Sequence, residues 1–457
     1  MGVDVGDAVP VGEALSVGAA AGPPTPGPPT PDPAAPGPGT RAAPSGALAN
    51  REFRGVIASQ FTSECGDQIA AIALSFLVYS RSNSAFFAAA TYAVTYLPWV
   101  VASVLLSPLV DRLPRRRVML VCDVGRAVAT ALLAVLTMVH GTPILVLIGI
   151  VFISSCFAPP YAAARSALLP DIFESGPGYV GAVAIGRILQ QVDQVFGFAL
   201  GGLIVAAVSP RGALVLDSAT FVLSFALTVT MVRDRPAAQI GPASTVGSLL
   251  AEVGPNISLV LGSRTRRALL VLSAAALVFF VAPEGLALAY AREHGHGVVA
   301  AGLLTASQPL GIALGAWLFI KYVPARTQGR WLLPLAAAGA FALTLTALVP
   351  PIWLAFLLWM TSGLLQCFIV TTIAAYNIVT DRALRGRANG LAAAAISISQ
   401  AAGFLIWGAV GSWRGAAAGV AWAGVIGLLI MSFVRYTWPD DEIELAWDKL
   451  DAAQRSS

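Results

Sequence analysis

Charge is scarce in this chain. Asp, Glu, Lys and Arg make up 11% of the 457 residues, against about a quarter in a soluble domain, too few to coat a water-exposed surface. Lysine is almost missing, with 2 residues beside 26 arginines. The arginines fall in separate short segments rather than in one nucleic-acid-binding stripe. No GxxxxGK phosphate loop occurs, so nothing points to ATP as a direct energy source. Cysteine is limited to Cys65, Cys122, Cys156 and Cys367. Each stands alone in an apolar run, a spacing that supports neither a disulfide framework nor a metal cluster and suits buried small side chains. His294 and His296 in "REHGHG" lack further ligands nearby, which argues against a metal site.

What remains is apolar. Hydrophobic residues are 57% of the chain and mean hydropathy is +0.76, the composition of an integral membrane protein. A bilayer core about 30 Å thick needs about 20 apolar residues in a helix. Breaking the chain at charges and Gly/Pro clusters gives twelve candidate spans: 55–79, 86–110, 117–139, 143–164, 180–207, 211–232, 266–291, 298–320, 331–349, 352–379, 387–411 and 415–435. With the N-terminus inside, 22 basic residues fall in the tails and loops of that side and only Arg81, Arg211, Arg292 and Arg414 on the other. That asymmetry predicts that both termini are cytoplasmic.

The expected fold is an all-α membrane protein with twelve transmembrane helices in two pseudo-symmetric six-helix halves. Residues 1–50 hold eleven prolines and few large apolar side chains, so a disordered cytoplasmic tail without a signal-peptide core is expected. The halves are then 51–232 and 266–435, joined by a central cytoplasmic loop at 233–265 and followed by a tail at 436–457. A repeat supports the division. "DIFESGPGYVGAVAIGRILQ" from Asp171 and "DRALRGRANGLAAAAISISQ" from Asp381 share Asp, Gly and Gln at the same offsets, each joining the fourth span of its half to the fifth.

Between spans two and three, "SPLVDRLPRRRVML" concentrates Asp111, Arg112, Arg115, Arg116 and Arg117. Positive-inside anchoring explains the arginines but needs no aspartate. The stretch resembles the loop signature of the major facilitator superfamily, in which Gly, three residues, Asp-Arg, one residue and Gly precede a basic run. Ser107 and Pro114 replace the two glycines, and Pro114 can hold the turn by fixing its own φ. "VFGFALGGL" in span five, with Gly197, Gly201 and Gly202, is similar to the glycine-rich motif of antiporter branches, Phe198 replacing the usual Pro. Ordinary close helix packing explains those glycines equally well. "PPYAAARSALLPDIF" and the 55–79 run resemble the enterobactin-exporter and macrolide-efflux group. The resemblance covers about residues 53–435 and implies a secondary transporter that exports small amphipathic molecules, a drug or natural product, in exchange for protons. The alternatives are an importer or facilitator of the same fold, or a membrane binding protein that moves nothing.

Charges inside a span are costly and are read first as functional. Glu64 and Asp67, three residues apart, share a face of span one. Asp67 is the expected proton carrier, with Glu64 tuning it. Asp193 in span five is the next candidate, with a structural salt bridge to Arg187 as its bland reading. Glu284 in span seven is the fourth. Asp123 and Arg126 read as a local ion pair, Asp217 as interfacial, and Tyr92, Tyr96 and Trp99 as an aromatic stripe that either packs or meets an aromatic or cationic substrate. "PDDEIELAWDKLDAAQ" reads as a solvated acidic helix. The resemblance implies a cytoplasmic latch in which Asp111 accepts hydrogen bonds near Ala388 and Asn389 and pairs with Arg165. No enzyme constellation, cofactor or metal is expected. The expected partners are a small-molecule substrate, protons and the lipid bilayer, with no nucleic acid, for a monomer in a bacterial plasma membrane.

Overall fold

The computed structural model describes residues 45–105, 113–139, 141–173, 177–236, 254, 257–258, 260–324, 327–381 and 384–455, which form helices joined by short loops. Asp111 and Arg112, most of the central loop and residues 1–44 lie outside the described residues. The expected tail is ordered at its end. Ser45–Leu48 forms α1, with Ala47 buried, and Asn50 caps the next helix by accepting from the backbone N–H groups of Glu52 and Phe53 at 2.8 and 3.2 Å. Such a cap satisfies donors that the first helical turn otherwise leaves bare.

The first half is α2 (Arg51–Ser82), α3 (Ala85–Leu105), α4 (Arg115–Leu136), α5 (Ile144–Ser155), α6 (Ala158–Phe173) and α7 (Pro177–Met231). Helix α7 is two helices meeting at Ser209, whose φ of 74° leaves the helical region just before Pro210. The second half is α8 (Arg264–Phe280), α9 (Ala282–Glu293), α10 (Val298–Tyr322), α11 (Gln328–Thr344), α12 (Ile352–Leu365), α13 (Phe368–Ile378), α14 (Arg385–Arg414) and α15 (Ala416–Tyr436), and α16 (Asp440–Arg455) ends the chain. Among the described residues nine helical stretches are long and apolar enough to cross a membrane, and Ala85–Val101 is a shorter apolar one. The expected count of twelve follows when α7 is divided at Ser209 and α2, which carries a polar face, and α3 are counted as spans.

Several spans are broken in the middle. Spans four and ten each divide in two, α5 from α6 and α12 from α13. Span seven divides at Val281, and side chains satisfy the carbonyls freed there: Gln308 Nε2 donates to Phe280 O at 2.9 Å and Trp407 Nε1 donates to Val278 O at 2.6 Å. This is how a membrane interior tolerates a broken helix, since an unpaired carbonyl there is costly.

The Arg-rich end of the first half is tied by Glu52, which pairs with Arg235 and accepts the Arg233 backbone N–H at 3.0 Å, and by Arg115 paired with Asp171. Burial opposes the charge on Glu52, but the hydrogen bonds from Arg235 and Arg233 outweigh it and hold the carboxyl below the usual carboxylate range. A lowered folded value means that this stability is present above the unfolded carboxylate pKa and is lost as pH falls through the folded one. Glu52→Gln is expected to cost about 1–2 kcal/mol, the scale of a hydrogen bond to a charged group. It should be read as a lower thermal midpoint at neutral pH, with the gap to wild type narrowing below about pH 4.

The C-terminal helix is not a solvated end. On α16, Ile443 and Trp447 are 2% and 1% exposed, Thr265 Oγ1 donates to Glu442 at 2.7 Å, and Arg330 pairs with Glu444 at 2.8 Å. Those two apolar residues, one helical turn apart, face the base of the second half while the acidic residues meet its arginines.

Candidate functional site

Helix α2 sets Gln60, Ser63, Glu64 and Asp67 along one face, because residues three and four apart lie above one another. Two arginines from other helices meet that face. Arg126 of α4 pairs with Asp67, donates to Ser63 Oγ at 3.0 Å, and holds its guanidinium 4.3 Å from the centre of the Phe221 ring. Arg165 of α6 pairs with Glu64 at 2.5 Å, and Gln60 Nε2 donates to the other Glu64 oxygen at 3.2 Å. Both pairs run between helices, the arrangement expected where a lone charge cannot be solvated.

Three further acids lie close by. Asp217 is buried against α2, where Gly66 makes room for it: a Cβ on Gly66 would stand 2.5 Å from Asp217 Oδ1. Asp123 is also buried and accepts from Ser224 Oγ at 2.9 Å. From Ser224 a chain of hydroxyls continues through Ser59 (3.0 Å) to Tyr161 (2.6 Å). Asp193 is 1% exposed, and neither of its carboxylate oxygens has a hydrogen-bond partner among the described residues. Glu64 and Arg165 are the charged groups that act on it.

The structure corrects several expectations. Arg126 reaches across to Asp67 rather than pairing locally with Asp123. Asp217 is fully buried rather than interfacial. Arg187 is no partner of Asp193 but lines an exposed vestibule. Arg165 is engaged with Glu64, while its expected partner Asp111 lies outside the described residues. Arg126 and Asp217 are the site residues that sequence reasoning missed. The available signal was that Arg126 is one of only two arginines placed away from the span ends, surrounded by more in-span acids than it can serve.

Beside this network lies a cavity of about 240 Å³ whose lining includes Asp67, Tyr92, Tyr96, Trp99, Asp217 and Glu284. Tyr92 and Tyr96 stack on Phe404 of α14, with ring centres 5.4 and 5.7 Å apart. Trp99 also lines a vestibule of about 690 Å³ between α2, α6, α7 and α14, whose walls hold Arg165, Arg187 and Asn389 at the Arg-rich end. At the opposite end the halves are in contact. Ser412 Oγ lies 3.2 Å from Ser84 Oγ and accepts the Phe86 backbone N–H at 2.7 Å, and the Arg292 guanidinium stands 4.8 Å from the Phe76 ring centre.

The span-five glycines serve two contacts. Gly197 and Gly201 face α2, while Gly202 faces α10, where a Cβ would stand 2.8 Å from Val298 O and 3.2 Å from Gly302 Cα. Each obstacle at Gly202 is backbone, so only glycine permits this crossing. The site thus offers paired and unpaired carboxylates on an aromatic cavity. Among the described residues, no group of three His, Cys, Asp or Glu side chains is placed to hold a metal ion.

Similar proteins agree with that architecture. The multidrug efflux pump Tap of Mycolicibacterium fortuitum is 24% identical over 348 residues, 74% of this chain and 83% of that protein. An uncharacterized MFS-type transporter of Bacillus subtilis (strain 168) is 25% identical over 180 residues, which span 39% of this chain and 42% of the relative. Among solved structures, the nucleoside transporter NupG matches with a TM-score of 0.67 at 13% identity, over 85% of this chain and 99% of that one, a likeness of fold alone. The family model of the Major Facilitator Superfamily matches residues 56–377, most of the chain, and the protein therefore belongs to that superfamily of membrane transporters and is not an enzyme.

Proposed function

We propose that this transporter exports small amphipathic molecules, drugs or natural products, in exchange for protons, working by alternating access in a bacterial plasma membrane with both termini and the Arg-rich end in the cytoplasm. The observation that carries the reading is the Asp67–Arg126 pair, set between a buried acid cluster and a cavity that shares Trp99 with the vestibule at the Arg-rich end. A proton arriving at Asp67 when the cavity faces outward removes its charge and frees Arg126 to turn to Asp217 or Asp123. Release towards the cytoplasm restores the pair, so the protonated and deprotonated states favour different packings of α2 against α4 and α7. Substrate that prefers the deprotonated site leaves in exchange, and one gradient drives the other. Similarity to a protein named as a multidrug efflux pump supports export over import.

Two measurements test this reading. In proteoliposomes preloaded with substrate, saturable counterflow is expected, whereas a binding protein shows saturation without exchange. In a background without native cysteines, a thiol at His296 should react with impermeant reagent in intact cells and one at Asp381 should not. The reverse labelling pattern would overturn the orientation.

A further inference from the structure

Glu284 differs from the other acids of the site. The cavity beside Asp67 is lined by the first half alone except for this one residue, which the second half contributes. Glu284 is half-buried and has neither a hydrogen bond nor an ion pair among the described residues. It stands in the first turn of α9, immediately after the break at Val281 that Gln308 and Trp407 hold open. It lines the same cavity as Tyr92, Tyr96 and Trp99. Phe404, on which both tyrosines stack, packs directly over the neighbouring Gly285, where a Cβ would stand 2.8 Å from the ring.

A carboxylate without a partner, in a cavity also lined by two tyrosines and a tryptophan, is a poor host for a neutral or anionic molecule and a good one for an organic cation. The acid supplies charge pairing, and the ring faces supply cation–π attraction, which grows when water is excluded. Asp67 does not compete for this role, because Arg126 already neutralises it. Resting on the exporter reading above, we propose that Glu284 is the recognition group for a positively charged aromatic substrate, which bridges the halves by holding Glu284 on one side and Tyr92, Tyr96 and Trp99 on the other. The assignment deepens the reading from amphipathic molecules in general to lipophilic cations. It also explains why the one carboxylate from the second half sits where the halves meet on Phe404.

The test uses two ions of the same shape and opposite charge, tetraphenylphosphonium and tetraphenylborate, with the full-length protein in lipid nanodiscs. Saturable binding is expected for the cation and none for the anion. Glu284→Gln should weaken cation binding at least tenfold and Glu284→Asp by less, while Asp441→Asn, which removes an exposed carboxylate on α16, should change nothing. Both Glu284 variants should elute as the wild type does in size exclusion. Should Glu284→Gln fail to do so, Glu284→Asp supplies the comparison, because it keeps the charge and moves it back by one methylene. Equal binding of both ions, no binding of the cation, or unchanged cation affinity in a folded Glu284→Gln protein would overturn the assignment. Transport of a neutral compound by that same variant would leave the exporter reading standing, so the two claims fail separately.

Discussion

Asp67→Asn is expected to yield a transporter that equilibrates its substrate but cannot concentrate it. In the wild type, Arg126 pairs with Asp67 and also feels the charges of Asp217 and Asp123, so removing the Asp67 charge still leaves acids within reach of the guanidinium. Breaking a buried pair costs about 3–5 kcal/mol when it strands a charge. Here no charge is stranded, and the variant should insert and fold normally. What it loses is the switch, because asparagine cannot alternate between a charged and an uncharged form. Counterflow should therefore persist within about twofold, while accumulation driven by an imposed pH gradient should fall by at least tenfold, beyond about 1.4 kcal/mol in coupling. Persistent protonophore-sensitive accumulation would move the proton to another acid, Asp193 first, since its oxygens are buried without partners among the described residues.

Gly202→Leu is expected to stop transport by a different route. Closure of the Arg-poor end brings α7 against α10 backbone to backbone at Gly202 and Gly302. A side chain there must push the helices apart. Overpacking of this kind costs about 1–3 kcal/mol, which shifts an equilibrium between two packings by about fivefold to more than a hundredfold. The closed form should lose population and turnover should fall in proportion, with insertion unaffected. Cysteines at Ser84 and Ser412, whose hydroxyls are 3.2 Å apart when that end is shut, report the state directly. They should crosslink readily in the parent and poorly in the Gly202→Leu variant.

Much of the fold was legible because hydropathy reports span length directly, and the long central loop and the Asp171/Asp381 repeat suggested two halves. The site was half legible. Glu64, Asp67, Asp193 and Glu284 were singled out by the cost of burying charge, a property of each residue alone. Their partners were not. Arg126 has Asp123 one turn away on its own helix, so a local pair satisfies sequence reasoning, yet the guanidinium reaches α2 instead. Arg165 was assigned to Asp111 through the resemblance, and the structure engages it with Glu64. Which helices adjoin is a tertiary fact that periodicity does not contain. The acidic tail shows the opposite lesson. Ile443 and Trp447 at helical spacing already marked a buried stripe, and the weight of surrounding charge hid it.

The central claim is that protons moving inward drive substrate outward. The most direct measurement uses proteoliposomes loaded with a fluorescent pH reporter and no imposed pH gradient, with substrate added on one side. If the exchange account holds, a substrate gradient alone moves protons the opposite way, the pH signal collapses with protonophore, and Asp67→Asn abolishes it while substrate still equilibrates. Substrate movement with no pH change in the wild type, or a pH change that survives in Asp67→Asn, would contradict the account.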